Sequence, residues 1–316
     1  MFPRLVARGN YSRIGVVRMR FNADGDPVAV ERLGIALEPT AAYELRRDGG
    51  GCEDPRITFV EPLRRYIMTY TAFSPGGPRI ALAASDDLLH WERLGLATFK
   101  PYHSLDFNGI NNKDGVVFPV AVPDPDGRPA MAMIHRPLFP GTGAQETAIE
   151  PVSRTINRDR ESIWISYCPL ERVGDHLQKL CHFSAHHRLA APVAAWECLK
   201  IGGGAPPILT PYGWLVIYHG VAGTQTNDGK VRGLRYSAGA LVLDQRDPRL
   251  ILYRSPATIL APELQHEREG AVADVVFPTG VDRRSDLGLP NRIEVYYGMA
   301  DSRIGVARLD VPVQPS

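Results

Sequence analysis

The sequence predicts an all-β chain folded as a five-bladed β-propeller, and three observations carry that prediction. Short runs of β-branched and aromatic residues alternate with turn residues, with 30 Gly and 27 Pro spread along 316 residues. Helical periodicity is scarce, its best stretch being a weak one over 173–187. A pentapeptide near the start, Ser12-Arg13-Ile14-Gly15-Val16, returns near the end as Ser302-Arg303-Ile304-Gly305-Val306, with a looser copy at Pro78-Arg79-Ile80-Ala81-Leu82. Like strands at both ends suit equivalent positions in a radial repeat whose ring closes by bringing the termini together. A period of about 50 to 60 residues fits roughly five blades into this length. A two-sheet sandwich is the runner-up, disfavoured because so many strands would need more than one such domain.

In chain order, the clearest strand signals are Tyr66–Thr71, Arg79–Ala83, Ser162–Tyr167, Trp214–His219 and Ile293–Tyr297. Each is about one strand long and rich in residues that fit a pleated, half-buried surface. Three segments interrupt the rhythm, Phe99–Asn111, Pro140–Asp159 and Ala222–Gly233, each rich in Gly, Pro, Asn or Thr as loops require. Loops of this size on a closed ring gather on one face and shape a pocket. No Ser/Gly or Pro-rich linker divides the chain, so residues 1–316 are read as one catalytic domain.

Composition narrows the function. Lys and Arg number 36 against 35 Asp and Glu, a formal net charge of +1, and there is no long basic run, which argues against nucleic acid as partner. No stretch approaches the roughly 18 apolar residues that span a bilayer, and Met1–Gly9 has neither an apolar core nor a cleavage site of a signal peptide. The protein is read as soluble and cytoplasmic. Cys52, Cys168, Cys181 and Cys198 form no C-x-x-C pair, so reduced thiols are expected and no zinc site. His186-His187 reads as a solvated loop rather than a metal pair, and Trp91, Trp164, Trp196 and Trp214 as packing groups rather than sugar platforms.

The densest chemical segment is Gly51-Cys52-Glu53-Asp54-Pro55-Arg56. Adjacent carboxylates before Pro and Arg are often only a solvated turn, but these run straight into Ile57-Thr58-Phe59-Val60 and so cap an inner strand. Neighbouring side chains on a strand point to opposite faces, which predicts one carboxylate in the central channel and the other bracing the turn or paired with an arginine. Four further groups each place a cationic or hydroxyl donor at the end of an apolar run: Asn111-Asn112-Lys113-Asp114, Ile134-His135-Arg136-Pro137, Tyr218-His219-Gly220-Val221 and Arg235-Tyr236-Ser237. Singly, each reads as a surface charge or a hydrogen-bonded core group; converging, they would make an oxyanion or phosphate site.

Together these motifs resemble glycoside hydrolase family 130, the β-mannoside phosphorylases and related β-mannosidases, which are five-bladed β-propellers. The resemblance rests on Glu53-Asp54-Pro55-Arg56, Ser85-Asp86-Asp87-Leu88 with Trp91, Asn112-Lys113-Asp114, His135-Arg136-Pro137, the run Gly202–Ile208, Tyr218–Val221, Val276–Gly280 and Tyr297-Gly298-Met299-Ala300-Asp301, in the family's order over nearly the full length. It implies that Asp54 is the general acid, acting in the phosphorylases through the 3-hydroxyl of the mannose being cleaved. It implies that Lys113, Arg136, His219 and Tyr236 bind inorganic phosphate and that Asp301 contacts the mannose. Glu53, Arg56 and Asp114, from the same motifs, are expected at the substrate.

Phosphate is already an anion and needs no general base, whereas inverting hydrolysis needs a second carboxylate roughly 6.5–9.5 Å from the first. The four phosphate-type residues favour phosphorolysis to α-mannose 1-phosphate and an acceptor sugar, with inorganic phosphate as co-substrate and no metal or organic cofactor. The alternatives are a β-mannosidase, with its second carboxylate among Glu53, Asp114, Glu267, Asp274 and Asp301, and a glycan-binding propeller without catalysis. A small β-mannoside and phosphate are the expected partners, with no nucleic acid and no membrane, and a homo-oligomer is left open. Two departures from the family stand out. Its members usually begin with a further strand carrying an Asn-Pro or Phe-Asn segment, whereas this chain starts at what resembles the next strand, and Phe21-Asn22-Ala23 lies out of place for that role. The three interrupting segments would lie near the leaving-sugar site or a neighbouring subunit.

Overall fold

Short apolar runs broken by turn residues become strands that bury both faces, and sheets built from them stack. The computed structural model describes residues 1–103, 105–139, 161–225, 231–289 and 291–311. The first sheet has seven strands: β1 (Arg4–Ala7), β2 (Tyr11–Phe21), β3 (Pro27–Leu37), β4 (Gly50–Val60), β5 (Arg65–Ser74), β6 (Gly77–Ser85) and β7 (Glu92–Leu96). They run in the order β1-β2-β4-β5-β6-β7 with β3 also on β2, and all pair antiparallel except a two-residue parallel contact, Tyr11 with Gly50 and Ser12 with Gly51. The second sheet comprises β8 (Thr98–Phe99), β9 (Asn111–Val117), β10 (Val122–Pro123), β11 (Pro129–Leu138), β12 (Ile163–Pro169) and β13 (His182–Ala190). The third holds β14 (Lys200–Gly203), β15 (Ile208–Thr210), β16 (Gly213–Gln225), β17 (Val231–Leu243) and β18 (Ile251–Arg254), and the last β19 (Val276–Asp282), β20 (Arg292–Met299) and β21 (Arg303–Asp310). The all-β reading stands, and the five predicted strand cores fall inside strands save Ser162, one residue before β12.

Period-two alternation explains the stacking. On β12, Trp164 and Cys168 enter one apolar cluster with Val60, Ile67, Leu82 and Met131, while Ile163, Ile165 and Tyr167 enter another with Val116, Ile134, Val216 and Leu241. On β16, Trp214, Val216 and Tyr218 join that second cluster, and Leu215 and Ile217 face a third with Val276, Val295 and Tyr297. A fourth cluster joins Ile14 and Leu37 of β2 and β3 to Cys52, Met68 and Tyr70. Each large side chain buried this way contributes roughly 1.5–3 kcal/mol. Trp164 and Trp214 are thus core residues, as expected, and Trp91 packs edge-on to Phe2 at 5.6 Å.

Four local expectations are corrected. The weak helical stretch over 173–187 resolves into the end of a four-residue helix, α1 (Leu170–Val173), a 3₁₀ turn over Leu177–Cys181 and the start of β13. Pairing with β12 captures this segment, a tertiary gain that outweighs a marginal local pattern. His186-His187 therefore lies on β13, not in a solvated loop, and His186 is 5% exposed. The Ala222–Gly233 segment belongs mostly to the long β16–β17 hairpin, with Thr224 opposite Arg232, while 226–230 and the Pro140–Asp159 segment lie outside the described residues. The repeated pentapeptides are strands in unequal settings: Ile14 is fully buried on β2, which has strands on both sides, whereas Ile304 on the edge strand β21 is 44% exposed.

Candidate functional site

Inner strands from all four sheets bring the predicted residues together. On β4 the register shifts between Glu53 and Arg56, and Asp54 takes a left-handed φ of 49°. This β-bulge breaks the alternation expected for Glu53 and Asp54. Both carboxylates converge on one guanidinium: Arg4 Nη2 donates to Glu53 Oε1 at 2.8 Å and Nη1 to Asp54 Oδ1 at 3.1 Å. Arg4, on the leading strand β1, carries no motif and was invisible to sequence reasoning. Lys113 lies 3.7 Å from the other Glu53 oxygen and 5.8 Å from the Phe73 ring centroid. Burial raises the Glu53 carboxyl pKa, and Asp54 adds to that, against the lowering effect of Arg4 and Lys113.

Asp114 is the second centre. It is 1% exposed, has a φ of 56°, and faces Arg56 Nη2 at 3.2 Å, Arg136 Nε at 2.6 Å and His219 Nε2 at 3.6 Å. Burial opposes its charge, but Arg136, His219 and Arg56 outweigh burial and hold its carboxyl well below the usual carboxylate range. Arg136 also pairs with Glu161 through Nη1. Arg56 donates to the carbonyls of Gly204 (2.7 Å), Gly203 (3.1 Å) and Asp54 (3.1 Å) as well as to Asp114. With all three nitrogens engaged and 2% exposure, it ties β4 to β9 and β14.

His219, on β16, is wholly buried, and neither ring nitrogen has a hydrogen-bond partner. Burial first, then Arg136, Arg56 and Lys200, lower its pKa to about 3 against the pull of Asp114. The ring is neutral at physiological pH, so it offers one N–H and one lone pair, not the cationic donor that its motif suggested. Tyr236 stacks on it at 6.2 Å and Phe277 approaches at 4.6 Å. Lys200, which sequence reasoning missed, lies 5.7 Å from the Tyr236 ring, with burial and then Arg136 lowering its pKa. Gly202 lets these groups meet, because a Cβ there would lie 2.2 Å from Asp114 Oδ2 and 2.5 Å from His219 Cε1.

Two expected donors point elsewhere. His135 is fully buried in a chain running from Asn112 through His135 Nε2 to Ser166 Oγ (2.7 Å), then to His186 Nδ1 (2.7 Å) and the Lys100 carbonyl (2.8 Å). Arg235 donates to the Pro262 carbonyl. Asp301 opens into a cleft of about 1660 Å³ that also touches Arg4, Asp54 and Phe277, and burial of its surroundings, then the Asp54 charge, raises its pKa. Glu267 accepts from the Glu263 and Leu264 N–H groups and the Tyr297 hydroxyl, a bracing role. Among the described residues no group of three or more His, Cys, Asp or Glu is placed to hold a metal.

A protein-family model described as beta-1,4-mannooligosaccharide phosphorylase matches residues 1–313. The chain belongs to glycoside hydrolase family 130. This family 130 chain is 31% identical to a 1,2-beta-oligomannan phosphorylase of Thermoanaerobacter sp. strain X514 over 96% of its own length and 82% of the relative's. It is 29% identical to a beta-1,4-mannooligosaccharide phosphorylase of Ruminococcus albus, over 88% of this chain and 68% of that one. The beta-1,2-mannobiose phosphorylase of Listeria innocua, solved with beta-1,2-mannobiose, superposes with a TM-score of 0.67 at 26% identity, covering 95% of this chain and 67% of that chain. The family 130 relatives thus differ in linkage while sharing the fold.

Proposed function

We propose that the chain is an inverting β-mannoside phosphorylase that forms α-mannose 1-phosphate and releases the group once joined to the mannose. The observation that carries this reading is the Asp114-centred cluster, where Arg136, Arg56 and Lys200 surround a buried His219 whose ring nitrogens have no hydrogen-bond partner. Such a set suits an oxyanion, because it supplies charge, N–H donors and a neutral imidazole in one water-poor place. Lys113, Arg136, His219 and Tyr236 are assigned to phosphate, with Lys200 beside them. Asp54 is assigned as general acid and Asp301 as a mannose contact. Arg56, Asp114 and Glu53 are assigned as positioning residues, since each is buried and paired.

In the proposed step a phosphate oxygen forms the bond to the anomeric carbon as the glycosidic carbon–oxygen bond breaks on the opposite face. The Asp54 proton passes, through the mannose 3-hydroxyl, to the leaving oxygen. The protein's groups bind, orient and neutralise; no second base is needed. The strands fall into five groups if the two-residue β2–β4 contact is set aside, antiparallel throughout except for the two-residue parallel β8–β13 contact, which supports a five-bladed propeller forming one domain. Among the described residues no helix is long and apolar enough to cross a membrane, and a cytoplasmic site would retain the sugar phosphate.

The β-mannosidase reading keeps one specific support. Of its candidate bases, Glu53, Asp114 and Glu267 are engaged by cations or backbone donors, but Asp301 shares the cleft with Asp54. Incubation with a panel of β-mannobioses, mannosyl-glucose and mannosyl-N-acetylglucosamine, with and without phosphate, decides between them. Phosphate-dependent mannose 1-phosphate is the expected product; free mannose formed equally without phosphate would overturn phosphorolysis in favour of hydrolysis.

A further inference from the structure

Arg136, assigned above to phosphate, is held by two carboxylates that differ in their freedom to move. Asp114 accepts from its Nε at 2.6 Å, and Glu161 accepts from its Nη1. The Asp114 side chain is 2% exposed and also faces Arg56 and His219, which locks it in place. The Glu161 side chain is 20% exposed, and among the described residues Arg136 is the one cation with which it pairs. Its backbone is fixed all the same. The Glu161 carbonyl accepts from the Ile201 N–H at 3.1 Å, and the residue bridges to Lys200 of β14. The carboxylate is thus tethered beside the cluster with one side open to water.

Charge balance gives this carboxylate a part to play. Around the neutral His219 ring stand Arg56, Arg136 and Lys200 against Asp114 and Glu161, which leaves one positive charge in excess when the site is empty. Lys113 is offset by Glu53. Without Glu161 the excess would be two, on side chains largely shielded from water, and unpaired charge in such a place is costly. A phosphate dianion reverses the sign. With Glu161 still in place the cluster would carry one negative charge too many, whereas withdrawal of Glu161 into water leaves three cations against Asp114 and the dianion, in balance.

We infer that Glu161 is a tethered counter-ion of the phosphate seat: it neutralises Arg136 while the seat is empty and gives Arg136 up when phosphate arrives, so that its charge sets how tightly phosphate binds. The identity of the anion rests on the phosphorylase reading. Carboxylate and phosphate oxygens accept from a guanidinium in the same geometry, so one replaces the other at Nη1 while Asp114 keeps Arg136 in place through Nε. The displaced Glu161 carboxylate regains water at its open side, which the enclosed Asp114 cannot do. A bare cationic seat would hold any small anion from solution. A tethered carboxylate yields only to a ligand that binds Arg136 more strongly than it does, and phosphate meets that condition with more charge and more oxygens.

Calorimetric titration of the wild-type, Glu161→Gln and Glu161→Ala proteins with inorganic phosphate at constant ionic strength tests this. Both substitutions remove the charge and leave the backbone contact with β14 intact, and each should tighten phosphate binding by about tenfold, equivalent to about 1.4 kcal/mol. Phosphate should correspondingly raise the melting temperature of either variant more than that of the wild type. Loss of a merely structural contact would weaken binding, so the direction of the change separates the two roles. Phosphate binding that is unchanged or weaker in both neutral variants would overturn the inference. Turnover of the β-mannoside panel by the wild-type protein separates it from the reaction. A phosphate-dependent product with no gain in either variant sinks the role of Glu161 and leaves the phosphorylase, whereas a gain with no phosphate-dependent product from any mannoside keeps Glu161 at an anion seat and removes the reaction.

Discussion

Arg4 holds two acidic side chains in the places that the proposed chemistry requires, although nothing in its sequence neighbourhood marks it. Its planar fork spans Glu53 and Asp54 together, which an ammonium of lysine cannot do. Arg4→Ala should lower kcat by about 10²-fold, the lower end of what a misplaced general acid costs, and Arg4→Lys should recover only part of it. The stability loss should be about 1–2 kcal/mol, below that of a fully buried pair, because Arg4 is 28% exposed and Lys113 remains 3.7 Å from Glu53. Denaturant unfolding beside steady-state kinetics checks both; wild-type kcat in Arg4→Ala would remove the positioning role. Asp54→Asn should abolish turnover while sugar binding by calorimetry persists, and near-wild-type activity would end its assignment as the acid. Glu53, Asp54, Lys113, Asp114, Arg136 and His219 were legible as candidates because each sits in a short dense motif. Arg4 and Lys200 were not, because a lone cation in a strand has the same local appearance wherever its partner lies.

At the scale of elements, the inner strands do the positioning, and β14 shows how little space they leave. Gly202 sits against Asp114 and His219, neither of which has room to retreat: one is held by two arginines and the other packs on Phe277. Gly202→Ala should therefore destabilise the fold by about 1–3 kcal/mol, as overpacking does, and raise the KM for phosphate more than it lowers kcat. An alanine variant with an unaltered phosphate KM would separate β14 from the cluster. The strands themselves were readable from their runs of β-branched and aromatic residues, since tertiary packing only reinforces that pattern. What escaped reading was local geometry set by partners at a distance. The bulge at Asp54 depends on how β4 meets β5, and the segment over 173–187 became turn and strand through pairing with β12. The repeated pentapeptide marked two strands but not their different neighbours.

The molecule as a whole buries three histidines whose charge it does not tolerate, and this sets its response to acid. His135, His186 and His219 all lie below the ordinary value of 6.5, burial being the first cause in each, with His186 of β13 linked to His135 of β11 through Ser166. In the folded protein these rings stay neutral as pH falls below 6.5, whereas in the unfolded chain they take up protons. The unfolded state then binds more protons, so stability decreases with falling pH, by up to about 1.4 kcal/mol per unit for each ring. Asp114 acts later. Its carboxyl is held down, so its contribution is complete above the ordinary 3.8 and declines only as pH falls from there through its folded value. Two windows should therefore separate: a loss between about pH 6.5 and 4 carried by the histidines, and a further loss below about pH 4 to which Asp114 adds. Urea unfolding from pH 7.5 to 4.5 reads the first window, in which the raised carboxyls of Glu53 and Asp301 act in the opposite sense, and His186→Gln should flatten the downward slope by the share of one proton whatever it does to absolute stability. A slope left unchanged by His186→Gln would mean that this ring ionises in place in the folded protein.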